Sequence, residues 1–355
     1  MKVALAMSGG VDSSVAAYLL NKEYDCIGCT MKLYEGEDTD GTAQKTCCSL
    51  SDVEDARSVA CRIGIPYYVF NYKDGFKTNV IDRFVDSYLA GETPNPCIDC
   101  NKYMKFGLLY SRAKELGCDY IATGHYAIIE KSSDRYLLKK GLDETKDQSY
   151  VLYGMTQDEL SHTLLPLGGL DKQTVRKIAE KNGFINARKK DSQDICFVPD
   201  GDYAAFIERY TGASFEPGDY TDTFGNILGR HKGHIHYTIG QRKGLGIALG
   251  KPRFVLDKDA KSNTVVLGDE EGLFYKNVLI KNANFIPFDT LSGDLRIYAK
   301  LRYRHKEQPA TLHPVSESEA VIEFDSSQRA PAPGQSAVFY DRDIVVGGGI
   351  IVKGY

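Results

Sequence analysis

The sequence lacks the features of membrane and secreted proteins. None of its 355 residues belongs to an apolar run approaching the roughly 18 residues that a transmembrane helix needs. The N-terminus lacks the basic segment, apolar core and cleavage site of a secretory signal, so we expect a cytoplasmic protein with no membrane partner. Lysine and arginine total 44 against 48 acidic residues, a net charge of −4. A surface that binds polyanions throughout is therefore not expected, although local basic patches are compatible with this charge.

Two common nucleotide-binding fingerprints are also missing. Neither G-x-x-x-x-G-K-[ST] nor G-x-G-x-x-G occurs, which argues against a Walker-type NTPase and a dinucleotide-binding dehydrogenase. The chain has instead Ser8-Gly9-Gly10-Val11-Asp12-Ser13, between an apolar run and a helical pattern. Glycines at a helix start let backbone N–H groups approach a phosphate closely. We therefore expect ATP phosphates at this loop. Asp12 would repel them unless it caps the helix or helps to hold a cation, for which Mg²⁺ is the natural candidate.

The first 120 residues alternate between strand and helix patterns. Predicted strands are Val3–Met7, Cys26–Leu33, Ile65–Phe70 and Tyr120–Thr123, with helical periodicity between them. Connections of this length predict βαβ units in a parallel sheet that carries helices on both faces. Beyond Thr211, short strands separated by glycines predict a sandwich or barrel.

The nine cysteines indicate thiols, catalytic groups or metal ligands rather than a disulfide framework. Cys97 and Cys100 follow a proline-stiffened loop, and we expect Cys100 beside the start of a helix at Lys102, where its thiolate is favoured. Cys196 also lies near lysines in a polar stretch. These three cysteines fit a metal or iron–sulfur site, a redox or sulfur-relay pair, or an unreactive role. Four further cysteines are expected to be packing residues: Cys26, Cys29, Cys61 and Cys118. The pair Cys47-Cys48 has no assigned role.

Several longer blocks occur in one order along the chain, beginning with the SGGVDS signature of PP-loop ATP pyrophosphatases. They include Thr93-Pro-Asn-Pro96, Ala122-Thr-Gly-His-Tyr126, Lys146-Asp-Gln-Ser-Tyr150, Lys189-Lys-Asp-Ser192, Thr238-Ile-Gly-Gln-Arg-Lys-Gly-Leu-Gly246 and Pro333-Gly-Gln-Ser-Ala-Val-Phe-Tyr340. With these blocks the chain resembles the bacterial tRNA-specific 2-thiouridylase family from one end to the other.

The resemblance implies that ATP adenylates O2 of the wobble uridine, U34, and that a persulfide replaces this oxygen, giving 2-thiouridine, AMP and pyrophosphate. It implies that Cys100 is the nucleophile and Cys196 the persulfide carrier, and that the two can end in a disulfide. The implied ATP contacts are Ala6, Met7, Ser8, Gly9, Gly10, Val11, Asp12, Ser13, Met31 and Gly124. The implied tRNA contacts are Lys146, Asp147, Gln148, Arg302 and Tyr303.

The resemblance also implies partners and cofactors. The partners are tRNAs for lysine, glutamate and glutamine, and a cysteine desulfurase or sulfur-relay protein as donor; ATP with Mg²⁺ is used without a permanent cofactor. The chain departs from the family pattern at Cys97, because some members have an aspartate there, to which an acid/base role has been assigned. Asp99 lies nearby, one residue before Cys100. Cys97 and Asp99 are therefore candidates for proton transfer or cluster binding. The alternative to a reaction without a permanent cofactor is a [4Fe–4S] centre on Cys97, Cys100 and Cys196. The alternative functions are an iron–sulfur-dependent tRNA thiolase and another PP-loop ligase.

The predicted fold class is α/β with three domains. These are a parallel-sheet PP-loop catalytic domain over 1–205, a small, mainly-β central domain over 206–270 and a C-terminal, tRNA-contacting β-barrel over 271–355. Between Arg296 and Arg304, basic side chains alternate with apolar ones. This alternation predicts a basic ridge on one strand face, which suits contacts to RNA phosphates.

Overall fold

The computed structural model describes residues 1–34, 50–190 and 195–355. The chain folds into two compact units, each formed from separate stretches of sequence. Unit 1 contains Met1–Asp82, Pro96–Gly201 and Asp343–Val346. Unit 2 contains Arg83–Asn95, Asp202–Arg342 and Gly347–Tyr355. The three-part division proposed above stays a prediction.

The helices and strands have the following bounds. The helices are α1 (Val11–Leu20), α2 (Leu50–Ile63), α3 (Lys73–Phe76), α4 (Arg83–Leu89), α5 (Pro96–Asp99), α6 (Tyr110–Glu115), α7 (Gln157–Ser161), α8 (Lys172–Lys181) and α9 (Tyr203–Thr211). Two π-helical stretches occupy Lys77–Asp82 and Cys100–Leu109, and three 3₁₀ turns occupy Ser149–Leu152, His234–His236 and Glu270–Leu273. The strands are β1 (Lys2–Ala6), β2 (Asp25–Lys32), β3 (Tyr67–Asn71), β4 (Tyr120–Ala122), β5 (Ala127–Ser132), β6 (Arg135–Lys140), β7 (Thr163–Leu164), β8 (Gly218–Thr221), β9 (Ile227–His231), β10 (Phe254–Asp259), β11 (Thr264–Gly268), β12 (Phe274–Phe285), β13 (Leu295–Lys300), β14 (Gln308–Ser316), β15 (Glu319–Arg329), β16 (Ser336–Asp341) and β17 (Ile344–Gly354).

Unit 1 is built on a five-stranded sheet in the order β3-β2-β1-β4-β7, and its pairings are all parallel. The predicted parallel sheet is therefore confirmed. Strand β1 is buried on both faces, with Val3, Ala4 and Leu5 at most 1% exposed, as its uninterrupted apolar sequence predicts. Its side chains share a core with the buried faces of α1 and α2. Strands β2 and β3 lie on one side of β1, whereas β4 lies on its other side. The strand order therefore reverses between β1 and β4.

Unit 2 contains two β structures. Strands β8 to β11 form a four-stranded sheet in the order β10-β11-β8-β9, around a core that includes Tyr220 and Val265. Strands β12 to β17 form a six-stranded barrel, because β12 pairs with both β15 and β17. The predicted C-terminal barrel is thus confirmed. Among the described helices, none is long and apolar enough to span a membrane.

Candidate active site

The candidate active site lies where two loops leave the parallel sheet. Ser8, Gly9 and Gly10 follow β1, and Thr123, Gly124 and His125 follow β4. The carboxyl ends of neighbouring parallel strands meet at one edge, and a crevice opens there when the strand order reverses between them. The sheet order places this reversal between β1 and β4. Open α/β sheets bind their ligands in this position.

Backbone geometry requires glycine at two positions of the site. Gly9 has φ of +73°, and a Cβ there would lie 2.3 Å from the backbone oxygen of Asp52. A Cβ on Gly124 would lie 2.7 Å from the backbone nitrogen of Ser13. Side chains at these positions would push the loop after β1 away from α2 and from the loop after β4. The two glycines therefore allow both loops to come close at the start of α1.

The start of α1 has no side-chain cap. Gly10 is its N-cap residue, and the hydroxyls of Ser13 and Ser14 donate backward to the Gly10 carbonyl, at 3.1 and 2.9 Å. The Ser8 backbone N–H donates to the Ser13 hydroxyl at 3.2 Å. A helix start of this kind presents N–H groups and a positive dipole end to an anion. The predicted phosphate site thus has suitable geometry.

Asp12 is held by two residues that are distant in sequence. Lys172 Nζ donates to both carboxylate oxygens of Asp12, at 2.7 and 2.8 Å, and the Tyr126 hydroxyl donates to Oδ1 at 2.7 Å. Lys172 and Tyr126 are 8% and 2% exposed. The lysine therefore offsets the Asp12 charge, which a bound cation was one expected way to do. No local sequence signal identifies Lys172, because it lies 160 residues from Asp12.

A second anchor reaches the loop from the segment that follows α8. Asn186 Nδ2 donates to the Gly9 carbonyl and to the Ser14 hydroxyl, both at 2.9 Å. Asn186 is 2% exposed, and its Oδ1 is buried without a hydrogen-bond partner among the described residues. Since the carbonyl of Gly9 can only accept, the amide orientation is fixed. Sequence reasoning missed Asn186, because nothing in its neighbourhood points to the loop.

Lys189 ties the same segment to α2. Its Nζ donates to Asp52 Oδ1 and Asp55 Oδ2, both at 2.6 Å, and lies 3.4 Å from the Gly9 carbonyl. Burial alone would lower the pKa of Lys189, but the hydrogen bonds to the two carboxylates outweigh it and raise the pKa above its usual value. The ammonium group is thus charged throughout the physiological range. Lys189 lies seven residues before Cys196 in the sequence.

His125 is a buried, neutral imidazole beside this site. Its Nδ1 lies 2.7 Å from Thr123 Oγ1, and its Nε2 lies 3.2 Å from Lys105 Nζ. Burial, and secondarily the Lys105 charge, hold the pKa of His125 well below its usual value. Since the ammonium group can only donate, Nε2 accepts from Lys105, and Nδ1–H is left to donate to Thr123.

The helix that carries Cys97 and Cys100 begins earlier than predicted. The expected start is Lys102, but α5 begins at Pro96 and continues directly into the π-helical stretch Cys100–Leu109. Proline suits the first helical position because its missing N–H is not needed there. Cys97 therefore lies in the first turn, and Cys100 lies one turn further along the same face. The expected helix start at Lys102 is therefore wrong, and the first helical turn contains Cys97 rather than Cys100.

Cys100 and Cys196 lie on segments that both pack against α3. Cys100 is partly exposed, and a Cβ on Gly75 of α3 would lie 2.6 Å from Leu108 of its helix. Cys196 is also partly exposed, and its neighbour Phe197 packs edge-on against Phe76 of α3, with ring centroids 5.8 Å apart. Both cysteines thus belong to the same unit as the phosphate loop.

The remaining cysteines differ in burial. Cys26, Cys29 and Cys118 are buried, as expected of packing residues. Burial raises the pKa of Cys26 to about 11 and that of Cys29 to about 12. The expectation for Cys61 is wrong, because this cysteine is exposed on α2. Cys47 and Cys48 lie outside the described residues. Within the described ranges, no three His, Cys, Asp or Glu side chains form a group that could hold a metal ion.

Two of the predicted tRNA contacts have structural partners near the phosphate loop. Asp147 Oδ1 accepts from the backbone N–H groups of Gly141 and Ser149, at 3.0 and 3.1 Å. Gln148 Oε1 accepts from the Tyr126 N–H at 3.1 Å, and the Gln148 N–H donates to the Tyr126 carbonyl at 2.9 Å. Lys146 is partly exposed. The segment that contains Gln148 is therefore linked to Asp12 by hydrogen bonds through Tyr126, whose hydroxyl donates to the Asp12 carboxylate.

The predicted basic ridge has the expected alternation of basic and apolar side chains. Its basic side chains, however, pair largely with acidic residues of the same chain. Along β13 the apolar side chains of Ile297 and Ala299 are buried, while Arg296 is exposed. Arg296 pairs with Asp325, and Lys300 lies 3.3 Å from Glu307 Oε1. Intramolecular ion pairs reduce the positive charge that this face offers to RNA. The strand ends at Lys300, so Arg302 and Arg304 of the predicted alternation lie beyond it.

The two predicted tRNA contacts that follow β13 have different environments. The Arg302 guanidinium donates to the carbonyl of Ala330 at 3.0 Å, whereas Tyr303 is 41% exposed. Tyr303 therefore has the more accessible side chain of the two.

The parallel sheet, its SGGVDS loop and the crevice at β1 and β4 define unit 1 as a HUP-type nucleotide-binding domain of the PP-loop class, which uses ATP. Three family models match successive parts of the chain. The tRNA methyl transferase HUP domain matches residues 1–200, the tRNA methyl transferase PRC-barrel domain 204–269 and the aminomethyltransferase beta-barrel domain 275–351.

Full-length relatives identify the family more closely. The chain is 57% identical over 355 residues to the tRNA-specific 2-thiouridylase MnmA of Clostridioides difficile, covering 99% of this chain and 98% of the relative. It is 53% identical to the enzymes of that name from Acetivibrio thermocellus and Clostridium acetobutylicum, with 99% of both chains covered in each case. The chain belongs to the tRNA-specific 2-thiouridylase family, whose members are tRNA sulfurtransferases.

The Asn186 contacts predict a specific kinetic defect. Asn186→Ala removes two hydrogen bonds that hold Gly9 and Ser14, at about 1 kcal/mol each. We expect the KM for ATP to rise by up to about thirtyfold, the equivalent of about 2 kcal/mol, with a smaller change in kcat, measured by AMP release at saturating tRNA. Asn182→Ala is the matched control, because Asn182 Nδ2 donates to Ile178 within α8. An unchanged KM in the Asn186 variant would contradict the anchoring role.

The lowered pKa of His125 predicts a pH effect on stability. A folded-state pKa below the unfolded value of about 6.5 means that the unfolded chain binds more protons as the pH falls. Stability is therefore lost below about pH 6.5, by up to about 1.4 kcal/mol per pH unit for this one group. Denaturant unfolding between about pH 7.5 and 5 should show a shallower loss for His125→Gln than for the native chain.

The control for this titration is His162→Gln, since the His162 side chain is 41% exposed. This variant leaves the His125 contacts in place, so the loss of stability that His125 causes should persist in it. Equal slopes for the His125 variant and the native chain would show that His125 is not the group that titrates.

Proposed function

We propose that the protein thiolates the wobble uridine, U34, of tRNA at its C2 position, using ATP to activate the O2 oxygen. The observation that carries this proposal is the glycine loop at the β1–β4 crevice, in the same unit as Cys100 and Cys196. Full-length membership of a 2-thiouridylase family supports it. The products are 2-thiouridine, AMP and pyrophosphate.

Activation is needed because the C2 carbonyl of uridine is a poor electrophile. In the proposed step, O2 attacks the α-phosphorus of ATP, and the bond to pyrophosphate breaks. The oxygen then leaves as part of AMP, which makes the later displacement feasible. Residues from Ala6 to Ser13, with Met31 and Gly124, would contact ATP. The Lys172–Asp12 ion pair reduces the repulsion that Asp12 would exert on the phosphates.

Sulfur transfer requires two cysteines. In the proposed cycle, a cysteine desulfurase or sulfur-relay protein first loads Cys196 with a persulfide. Its terminal sulfur attacks C2 and displaces AMP. The Cys100 thiolate then attacks the Cys196 sulfur, so that the original S–S bond breaks, its electrons remain on the transferred sulfur, and a Cys100–Cys196 disulfide forms. A cellular thiol reductant restores both thiols before the next cycle.

The tRNA contacts are proposed for Lys146, Asp147 and Gln148 and for Arg302 with Tyr303. The first group is attached to Tyr126, which also holds Asp12, so RNA bound there would lie beside the phosphate loop. The wobble base has to leave its stack to reach this crevice, and aromatic side chains can stack on it. Lysine, glutamate and glutamine tRNAs are the proposed substrates, Mg²⁺ the proposed companion of ATP and the cytoplasm the proposed location.

Cysteine replacements test the sulfur chemistry. Cys196→Ser and Cys100→Ser should each lower 2-thiouridine formation by at least about a hundredfold, because a hydroxyl can neither carry nor cleave a persulfide. The readout is mass spectrometry of tRNA nucleosides after reaction with ATP, tRNA and a sulfur donor. Cys61→Ser is the control, since Cys61 is an exposed cysteine of the same unit. Full thiolation by the Cys196 variant would refute its role.

A cluster mechanism makes a different prediction for Cys97. Cys97 and Cys100 share one helix face, so an iron–sulfur centre would use both. In the proposed persulfide mechanism, Cys97 neither carries nor cleaves the persulfide, so Cys97→Ser lowers 2-thiouridine formation much less than Cys196→Ser does, and anaerobically purified protein contains no stoichiometric iron. Stoichiometric iron together with inactivity of the Cys97 variant would replace the persulfide mechanism by that of an iron–sulfur-dependent thiolase.

A further inference from the structure

A cavity with a basic rim lies in unit 2, apart from the residues assigned above. It has a volume of about 600 Å³, and it is formed by the irregular stretch 242–253 between the His234–His236 turn and β10. We call this stretch the basic loop. Three of its glycines have φ between +70° and +75°: Gly244, Gly246 and Gly250. These left-handed turns fold the loop around the cavity without bulky side chains at its bends.

Four cations belong to the basic loop, and they have different partners. Lys251 and Arg253 share the carboxylate of Asp269, at 2.9 and 3.3 Å. Arg242 and Lys243 are exposed, and their side chains make no hydrogen bond or ion pair with the residues that the structure describes. The hydrogen bond from Lys251 and the nearby Arg253 charge outweigh desolvation and keep the pKa of Asp269 low, so that carboxylate is ionised. The loop therefore retains a surplus of positive charge, mainly at Arg242 and Lys243.

An exposed aromatic side chain lies on the adjacent β8–β9 hairpin. Phe224 is 89% exposed, although its turn is well ordered by Asp222, whose Oδ1 accepts from the N–H groups of Phe224 and Asn226, both at 2.9 Å. The hairpin contacts the basic loop, since a Cβ on Gly229 would lie 2.6 Å from Ile247 Cδ1. Hydrogen bonding by Asn226 mainly lowers the pKa of Asp222, and the Arg253 charge of the basic loop lowers it further. A fixed turn thus presents a phenyl ring to solvent on a hairpin that packs against the basic loop.

We propose that the basic loop and Phe224 form a second tRNA-binding surface in unit 2, separate from the residues assigned to tRNA above. Arg242 and Lys243 bind backbone phosphates, and Phe224 stacks on an unpaired base. Unpaired exposed cations on a glycine-rich loop suit phosphates of a long chain, and an exposed ring on the neighbouring hairpin suits a nucleobase. A free small anion would use the cations but not the ring. This inference rests on the proposed function, because it takes tRNA as the ligand.

The salt dependence of tRNA binding tests the proposal. Dissociation constants are measured with an unmodified tRNA transcript between about 50 and 200 mM salt, for the native protein and for Arg242→Ala/Lys243→Ala. We expect roughly tenfold weaker binding by the double variant and a logarithmic salt slope lower by about 2, since each phosphate contact contributes about 1. Lys232→Ala/Lys261→Ala is the matched control, because it removes two exposed lysines of the same unit outside the cavity. It should change neither quantity.

Phe224→Ala separates stacking from charge. It should weaken tRNA binding about tenfold without changing the salt slope, because stacking releases no counterions. Unchanged affinity and slope in the Arg242/Lys243 variant would overturn the proposal. So would binding of inorganic pyrophosphate that is lost in this variant while tRNA binding stays unchanged, since the cavity would then be a small-anion site. If the native protein bound no tRNA at all, the proposed function itself would fail. This result differs from tRNA binding by the native protein that the Arg242/Lys243 substitutions leave unchanged, which overturns only the second surface.

Discussion

The ion pair between Asp12 and Lys172 is the interaction on which the active site depends. It joins the first turn of α1 to the start of α8, and the Tyr126 hydroxyl adds the loop after β4 to the same carboxylate. The three segments are far apart in the sequence but meet where the strand order reverses. A carboxylate beside a phosphate site would oppose ATP if it were alone. Paired with a buried ammonium group, it becomes part of the framework that shapes the loop.

The residues around this pair form a connected set. Asn186 and Lys189 hold the Gly9 carbonyl from the segment that leads toward Cys196, while Gln148 holds Tyr126 from a segment assigned to tRNA. The phosphate loop is therefore in contact with segments that serve ATP, sulfur and RNA in the proposed mechanism. In the proposed mechanism, adenylation of O2 comes first and persulfide attack on C2 second. Both steps act on the same carbonyl group of one base, so both sets of residues have to reach it.

Much of the fold could be predicted from the sequence because the signals for it are local. The buried strand before the glycine loop, the βαβ alternation and the barrel strands all follow from residue periodicity within short windows. Contacts between residues that are distant in sequence could not be predicted in this way, because only tertiary packing brings Lys172 and Asn186 to the phosphate loop. The prolines before Cys97 predict a stiff loop and a helix start at Lys102, whereas Pro96 itself begins the helix, so Cys100 lies beyond the first turn. The basic face of β13 was predicted correctly as a pattern, but Asp325 and Glu307 come from other parts of the barrel and offset its charge.

In the proposed reaction, ATP activates the uridine oxygen and AMP carries this oxygen away. The most direct measurement uses tRNA labelled with ¹⁸O at O2 of the wobble uridine, followed by mass spectrometry of the AMP formed during thiolation. The label should appear in the AMP in proportion to the 2-thiouridine produced. AMP without label, accompanied by normal thiolation, would contradict it.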